Sequence, residues 1–262
     1  MFEFHGDRKR YFEIQIANTE QFVLPFVEAL MPIKAGQRIL EIGCGEGGVL
    51  KPFLERGCAC VGVEFDTTRT DNAVVWMKDA IDAGKLSIIP KDIYLATAEE
   101  LGGRFDLIIL KDVIEHIHDQ AKLMARMQLF LKPGAFIFFG FPPWQMPFGG
   151  HQQITRNKWL SRLPYYHLLP VPIYRRILQH YKEDVGEMLE IKETGISLER
   201  FERIAKKTNY TIEKRTLYLI NPIYQWKFGW KARKQFPVIR SIPWLRNFVT
   251  TCAYYMITPN NK

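Results

Sequence analysis

Along the chain, short apolar runs alternate with longer stretches whose apolar residues recur at helical spacing. Arg38–Ile42, Cys60–Phe65, Leu86–Pro90, Phe105–Leu110 and Ala135–Phe141 are runs of strand length. Between them, Asp66 and Thr67 mark the start of a helix, and Leu131-Lys132-Pro133-Gly134 marks the end of another. From Tyr11 to Leu30, Phe12, Ile16, Phe22, Val23, Phe26, Val27 and Leu30 predict a helical segment ending near Pro32. Leu198, Phe201, Ile204 and Ala205 share one helical face behind Ser197 as N-cap, and Ile173 to Leu189 predicts one further helix. Tyr210–Ile220 and Phe248–Ile257 close the pattern as strands. Strands alternating with helices imply an α/β doubly wound sheet with helices on both faces, which takes its ligands at the carboxyl ends of the strands.

The first run passes through an acid into closely spaced glycines, Glu41-Ile42-Gly43-Cys44-Gly45-Glu46-Gly47-Gly48. Glycines let the backbone turn sharply and approach a ligand, and a helix starting after them offers free N–H groups. This is the pattern of a nucleoside-cofactor site. Gly43-x-Gly45-x-x-Gly48 formally fits the nicotinamide fingerprint, a weak signal alone. Glu41 argues against it, because a carboxylate beside the turn repels a pyrophosphate and suits a cation. S-adenosylmethionine carries a sulfonium and an ammonium and no phosphate.

Further pieces follow in order. Cys60-Val61-Gly62-Val63-Glu64-Phe65-Asp66 is a second strand ending in an acid about twenty residues after the glycines, where Glu64 suits a ribose diol and Asp66 caps the next helix. Lys91-Asp92-Ile93 follows the third strand. Phe105-Asp106-Leu107-Ile108-Ile109 then runs through Lys111 into Asp112-Val113-Ile114-Glu115-His116, read as a strand passing directly into a helix. Residues 38–142 together resemble the class I S-adenosylmethionine-dependent methyltransferases, in the small-molecule branch that includes ubiquinone-pathway enzymes. There an acid precedes G-x-G-x-G, filled here by Gly43, Gly45 and Gly47, and an acid after the third strand receives the adenine amino group, matched by Asp92. The resemblance implies a Rossmann-like seven-stranded sheet whose last strand is antiparallel. It also implies S-adenosylmethionine as cofactor, bordered by Glu41, Gly43, Cys44, Gly45, Gly47, Glu64, Phe65, Asp92, Ile93, Lys111 and Asp112. Lys111 and Asp112 have a second reading as support for their loop, and Tyr11 either reaches the ligand or only packs.

Methyl transfer from a sulfonium is an in-line displacement that needs no metal, so none is expected, and positioning supplies much of the rate. A hydroxyl acceptor gains from a general base, usually His. His116 lies just beyond the fourth strand and His151 opens an insertion after the fifth, which makes these two the catalytic candidates. His116 has the competing role of holding neighbouring loops. His5, His118, His167 and His180 carry weaker positional arguments.

Two insertions depart from the compact family pattern and are expected to form a lid: residues 143–195, rich in Pro and aromatics, and residues 221–247, between the last two strands. With 262 residues and 47% hydrophobic content, one domain is expected. Its parts are an N-terminal helical cap (1–37), the cofactor core (38–142), the lid (143–195), the last helix and strands (196–220 and 248–258) and the second insertion (221–247). No run of eighteen apolar residues occurs, and Met1–Arg8 lacks the basic-then-apolar pattern of a signal peptide, so a cytoplasmic protein is expected. Cys44, Cys58, Cys60 and Cys252 have neither disulfide nor zinc spacing and are expected to be free thiols.

Charge is uneven. Residues 214–262 hold nine Lys or Arg and no Asp or Glu, which accounts for the whole +8 excess. Trp226, Trp230 and Trp244 are interleaved with these cations. Rings and cations together suit an anionic membrane interface, whereas the plainer alternative packs the rings on the core with the charged heads in water. Nucleic acid is a poor fit, because no nucleic-acid motif accompanies the charge. The reading that unites these features is methyl transfer to a small-molecule or lipid-linked acceptor, at oxygen. A nicotinamide oxidoreductase and a non-catalytic membrane-binding module on the same fold are the alternatives.

Overall fold

The computed structural model describes residues 7–260, so His5, Lys262 and most of the Met1–Arg8 stretch lie outside them. Eight strands form one sheet: β1 Arg38–Ile42, β2 Ala59–Glu64, β3 Leu86–Pro90, β4 Phe105–Lys111, β5 Leu131–Phe141, β6 Tyr210–Ile220, β7 Arg233–Lys234 and β8 Cys252–Pro259. Their order is β3-β2-β1-β4-β5-β8-β6-β7. The neighbours from β3 to β5 pair in parallel, whereas β8 runs antiparallel to both β5 and β6. The seven expected strands are thus present with the last one antiparallel. The eighth, β7, is a two-residue edge on β6.

Alternation along the parallel strands divides the core between the two faces of the sheet. Ile39, Leu107, Ile109 and Phe138 share one cluster with Phe12, Val23, Leu24 and Phe53. Leu40, Ile108, Leu110 and Phe139 share the other with Leu123, Met124, Leu198 and Phe201. The N-terminal segment, Arg8–Asn18 and Leu24–Glu28 joined by a π-turn over Thr19–Val23, therefore covers the first face. Helices Gln120–Met127 and Leu198–Lys207 cover the second. The first insertion has a small core of its own around Leu160, Tyr166, Tyr174, Leu178 and Met188.

Several expected boundaries move, each for a local reason. Pro133-Gly134 does not stop a helix; it lies inside β5, where Gly134 adopts φ +75° at a register shift opposite Phe105 and Leu107. After β4 comes a single 3-10 turn, Ile114–His116, and the α-helix waits until Gln120, capped by Asp119. The expected helix 173–189 is two, Val171–His180 and Val185–Thr194, divided at Lys182 with φ +56° and restarted by the Asp184 cap. The last strand starts at Cys252 rather than Phe248 because Leu245–Val249 is helical. Ser197 and Asp66 cap their helices as expected. Among the described residues, no helix is long and apolar enough to cross a membrane.

Candidate functional site

The parallel strands bring the ends of β1, β2, β3 and β4 to one edge of the sheet. Beyond β1, Gly43 and Gly45 adopt φ of +70° and +52°, and a Cβ on Gly43 would stand 2.5 Å from Val113 Cγ2. The turn is bound to the end of β2: Gly43 N donates to Val63 O at 2.8 Å and Gly45 N to Glu64 Oε2 at 3.0 Å. No helix follows at once. Residues 47–50 form turns, and a short helix begins at Lys51. Phe12 and Gln15 of the N-terminal helix lie directly on Gly48, so that helix covers the turn.

Glu64, expected at a ribose, is buried and already accepts from two backbone donors, Gly45 N and, through Oε1, Asp66 N at 3.1 Å. A carboxylate has about four acceptor sites, which leaves two for a diol. Phe65 beside it is 79% exposed. Asp92 is exposed, its Oδ1 accepting from Tyr94 N at 2.8 Å, while Ile93 is buried. The Cys44 thiol is buried, and burial, then Glu41, pushes it well up. All four cysteines are free and buried.

Glu41, in mid-sheet on β1 between Gly62 and Ile109, is 2% exposed, and its Oε2 has no hydrogen-bond partner. Burial raises its carboxyl well above the usual range against the opposing pull of Lys111. Lys111 is itself buried at the end of β4 and pairs with Asp112 at 2.6 Å. Burial alone would lower the Lys111 ammonium, but Asp112 and then Tyr11 raise it overall. Burial would likewise raise the Asp112 carboxyl, yet Lys111, then Lys227 and His151, hold it below its ordinary value. Asp112 takes φ +57° and donates its N–H to Gly140 O at 2.7 Å.

His116 and His151 come together from different loops, ring centroids 4.8 Å apart and planes perpendicular. His116 is lowered from its ordinary value by burial, which Asp112 opposes. His151 has φ +53° and follows Gly150, where a Cβ would stand 2.4 Å from His167 Cβ. Glu115 completes the group. It is buried, its Oε2 has no hydrogen-bond partner, and burial, then Asp112, raises its carboxyl well above the usual range. One ligand atom each from Glu115, His116 and His151 lies within 4.8 Å of the others, a set able to hold a cation where the sequence led us to expect no metal ligands. Glu115 was missed as a site residue, although its place three residues after Asp112 was visible.

The remaining described histidines lie elsewhere. His167 is a buried strut between Gln152 Nε2 and Trp144 O, both at 2.8 Å, and burial lowers it to about 4. His118 faces Glu190 at 3.3 Å on the surface, and His180 stacks edge-on against Tyr181. The second insertion divides in two. Trp226 meets Phe22 at 6.0 Å, Gln225 Nε2 donates to Gln21 Oε1 at 3.1 Å, and the Lys227 ammonium stands 4.9 Å from the Tyr11 ring. Of the two readings of this segment, Trp226 and Lys227 follow the one in which they pack on the protein, here on the N-terminal segment, while Trp230 and Trp244 are exposed.

The chain is similar to known proteins. Ubiquinone biosynthesis O-methyltransferase of Paracidovorax citrulli is 28% identical over 117 residues, 44% of this chain and 48% of that protein. The Azorhizobium caulinodans protein of the same name is 35% identical over 112 residues, 42% and 41% of the two chains. The chain thus spans less than half the length of these curated relatives. Among solved structures, a putative sarcosine dimethylglycine methyltransferase from Galdieria sulphuraria has a TM-score of 0.59 at 12% identity, covering 92% of this chain and 85% of that one. Magnesium protoporphyrin IX methyltransferase from Synechocystis PCC 6803 with bound S-adenosylhomocysteine has 0.55 at 11%, covering 94% and 84%. These likenesses establish the fold. The methyltransferase-domain family matches residues 15–214. By that match the chain belongs to this family, among the class I S-adenosylmethionine-dependent methyltransferases, which take their methyl group from that cofactor.

Proposed function

We propose that this chain transfers the methyl group of S-adenosylmethionine to a hydroxyl oxygen of a small, lipid-linked acceptor, with His151 as the base, at the surface of an anionic membrane. The observation that carries the reading is the pairing of His151 and His116 beyond the end of β4, beside Asp112 and on the loop whose Val113 abuts Gly43 of the glycine turn. The acceptor proton passes to the His151 imidazole, the oxygen attacks the methyl carbon in line, and the carbon–sulfur bond breaks to release neutral S-adenosylhomocysteine. Glu64 and Asp92 suit the ribose and adenine. Asp112, held in its charged form beside Lys111, supplies a carboxylate for the sulfonium. Two relatives named as O-methyltransferases of ubiquinone biosynthesis support oxygen and a lipid-linked acceptor.

The test is transfer of labelled methyl from S-adenosylmethionine into a solvent extract of cellular lipids. His151→Ala should lower turnover by on the order of 10²-fold or more with S-adenosylhomocysteine affinity unchanged. Retention of turnover in that variant and its loss in His116→Ala would reverse the two roles; loss in neither would remove histidine as the base. The unpartnered Glu115 Oε2 favours one second reading, in which Glu115, His116 and His151 hold a divalent cation that polarises the acceptor oxygen. Turnover unaffected by a chelator supports the base; loss restored by added metal supports the cation.

A further inference from the structure

Two stretches without a carboxylate meet on the surface. Residues 120–182 contain no Asp or Glu, and neither do residues 214–262. They join where the Tyr165 hydroxyl donates to the Phe248 carbonyl at 2.9 Å, with the two rings 6.4 Å apart. On the second stretch Val238, Trp244 and Leu245 are 71%, 56% and 45% exposed; on the first, Trp159, Leu163 and Ile173 are 84%, 49% and 51% exposed. Isolated exposed apolar residues are ordinary, but here Leu163 stands two residues from Tyr165, and Trp244 and Leu245 within four of Phe248, so both insertions bring exposed apolar side chains to their junction, as an interaction surface does. The same two stretches carry exposed cations, Lys231, Arg233, Lys234 and Arg240 on one and Arg162 and Arg175 on the other.

The base of this surface is fixed. Arg246 and Asn247 are buried; Arg246 Nε pairs with Glu199 Oε1 at 2.9 Å, its Nη2 with Glu202 Oε2 at 3.0 Å, and Asn247 Nδ2 with Glu199 Oε2 at 2.6 Å. Trp244 N also donates to Glu199 Oε1, at 3.0 Å. The clamp holds Trp244 at φ +66°, a conformation that a bulky residue adopts only at a cost, with its indole exposed.

We propose that this composite face docks the protein on an anionic lipid bilayer, with Trp244 and its aliphatic neighbours entering the interface and the surrounding cations meeting headgroups. The proposal deepens the reading of a lipid-linked acceptor and rests on it. A bilayer is favoured over nucleic acid because Val238, Leu245, Leu163 and Ile173 have no ring to stack on bases. It is favoured over a protein partner because two acid-free stretches complement a surface of one sign, whereas protein surfaces mix both. With no helix able to cross a membrane among the described residues, the contact is interfacial.

The experiment is co-sedimentation of the full chain with vesicles of phosphatidylcholine alone or mixed with phosphatidylglycerol. The wild type should bind the mixed vesicles at low salt and keep a reduced, salt-resistant fraction at high salt. Val238→Ser with Trp244→Ser should lower partitioning by about tenfold or more and abolish the salt-resistant fraction. Arg233→Gln with Lys234→Gln and Arg240→Gln should remove the salt-sensitive part. All these side chains are exposed, so both variants should bind S-adenosylhomocysteine as the wild type does; that calorimetric control separates a failure of docking from a failure of the enzyme reading. Wild type remaining in the supernatant at low salt, or unchanged partitioning of the Val238/Trp244 variant, overturns the proposal. So does self-association without lipid that the same two substitutions abolish, which would assign the face to a second copy of the chain.

Discussion

Two groups of acids, one half-buried and one buried, sit in this molecule, and they are satisfied to very different degrees. At the clamp below the second insertion, both carboxylate oxygens of Glu199 and of Glu202 have donors, from Trp244 N, Arg246, Asn247, Arg215 and Tyr255. Burial would raise the Glu199 carboxyl, but Trp244 N and Asn247 lead the contacts that hold it below its ordinary value. Within the parallel sheet and in the turn just beyond β4, Glu41 and Glu115 each keep an oxygen buried without a partner, and both carboxyls are pushed up. A fully paired group holds a structure together; a buried carboxylate left short of partners costs stability and is ready for a ligand. The same residue type thus serves as a fastening in one place and as part of a receptor in the other.

Removing one acid from each group tests that contrast most severely. Glu199→Ala removes one of the two carboxylates of the buried Arg246 and the acceptor of Asn247 and Trp244 N, and should cost on the order of 3 kcal/mol in urea unfolding at neutral pH. Glu41→Gln should change stability by less than about 1 kcal/mol, or raise it, because the amide replaces a buried carboxyl whose charged form burial already disfavours. Equal losses would mean that both groups are structural. On the ligand side, Glu64→Ala should weaken S-adenosylhomocysteine at least about tenfold, or about 1.4 kcal/mol, by calorimetry. Unchanged affinity would confine Glu64 to holding the glycine turn. The smallest effect is in the pH dependence of stability. Glu41 is raised on folding, so its contribution is fully present in acid and is lost as pH rises above the ordinary carboxylate range. Glu199 is lowered, so its contribution is present at neutral pH and lost as pH falls through its folded value. The stability–pH curves of Glu41→Gln and Glu199→Gln should therefore depart from wild type in opposite senses.

Much of the sheet could be read from the chain because a central strand buried on both faces runs apolar, as residues 107–110 do, and an outer strand alternates, as Tyr210–Ile220 does. Leu86–Pro90 and Tyr210–Ile220 have the limits that their side chains suggested, and Glu41 and the glycines stand where β1 ends. What could not be read depends on partners distant in sequence. Pro133-Gly134 has the chemistry of a helix stop, but pairing with β4 draws it into a strand as a bulge. The alternation of rings and cations near Trp226 gives no sign of which side meets Phe22 and Tyr11, more than two hundred residues earlier. His151 was visible as a candidate, whereas its approach to His116 and Glu115 follows from the left-handed turns at Asp112 and His151, and neither residue is a glycine.

The place of β8 has a consequence for how the chain folds. It is the last strand in sequence yet lies between β5 and β6, pairing Ile137–Phe141 on one side and Tyr210–Tyr218 on the other. Until residues 252–259 arrive, β5 and β6 have no shared neighbour, and each presents an open edge able to pair with another chain. Because β5 and β6 are separated by the whole first insertion, bringing them together without β8 would require a long loop to close for no ladder in return. The finished sheet is therefore a late event in folding. Conditions that delay the final strand should expose the half-built sheet to aggregation well before they disturb the glycine turn, whose partners β1, β2 and β4 are all complete within the first half of the chain.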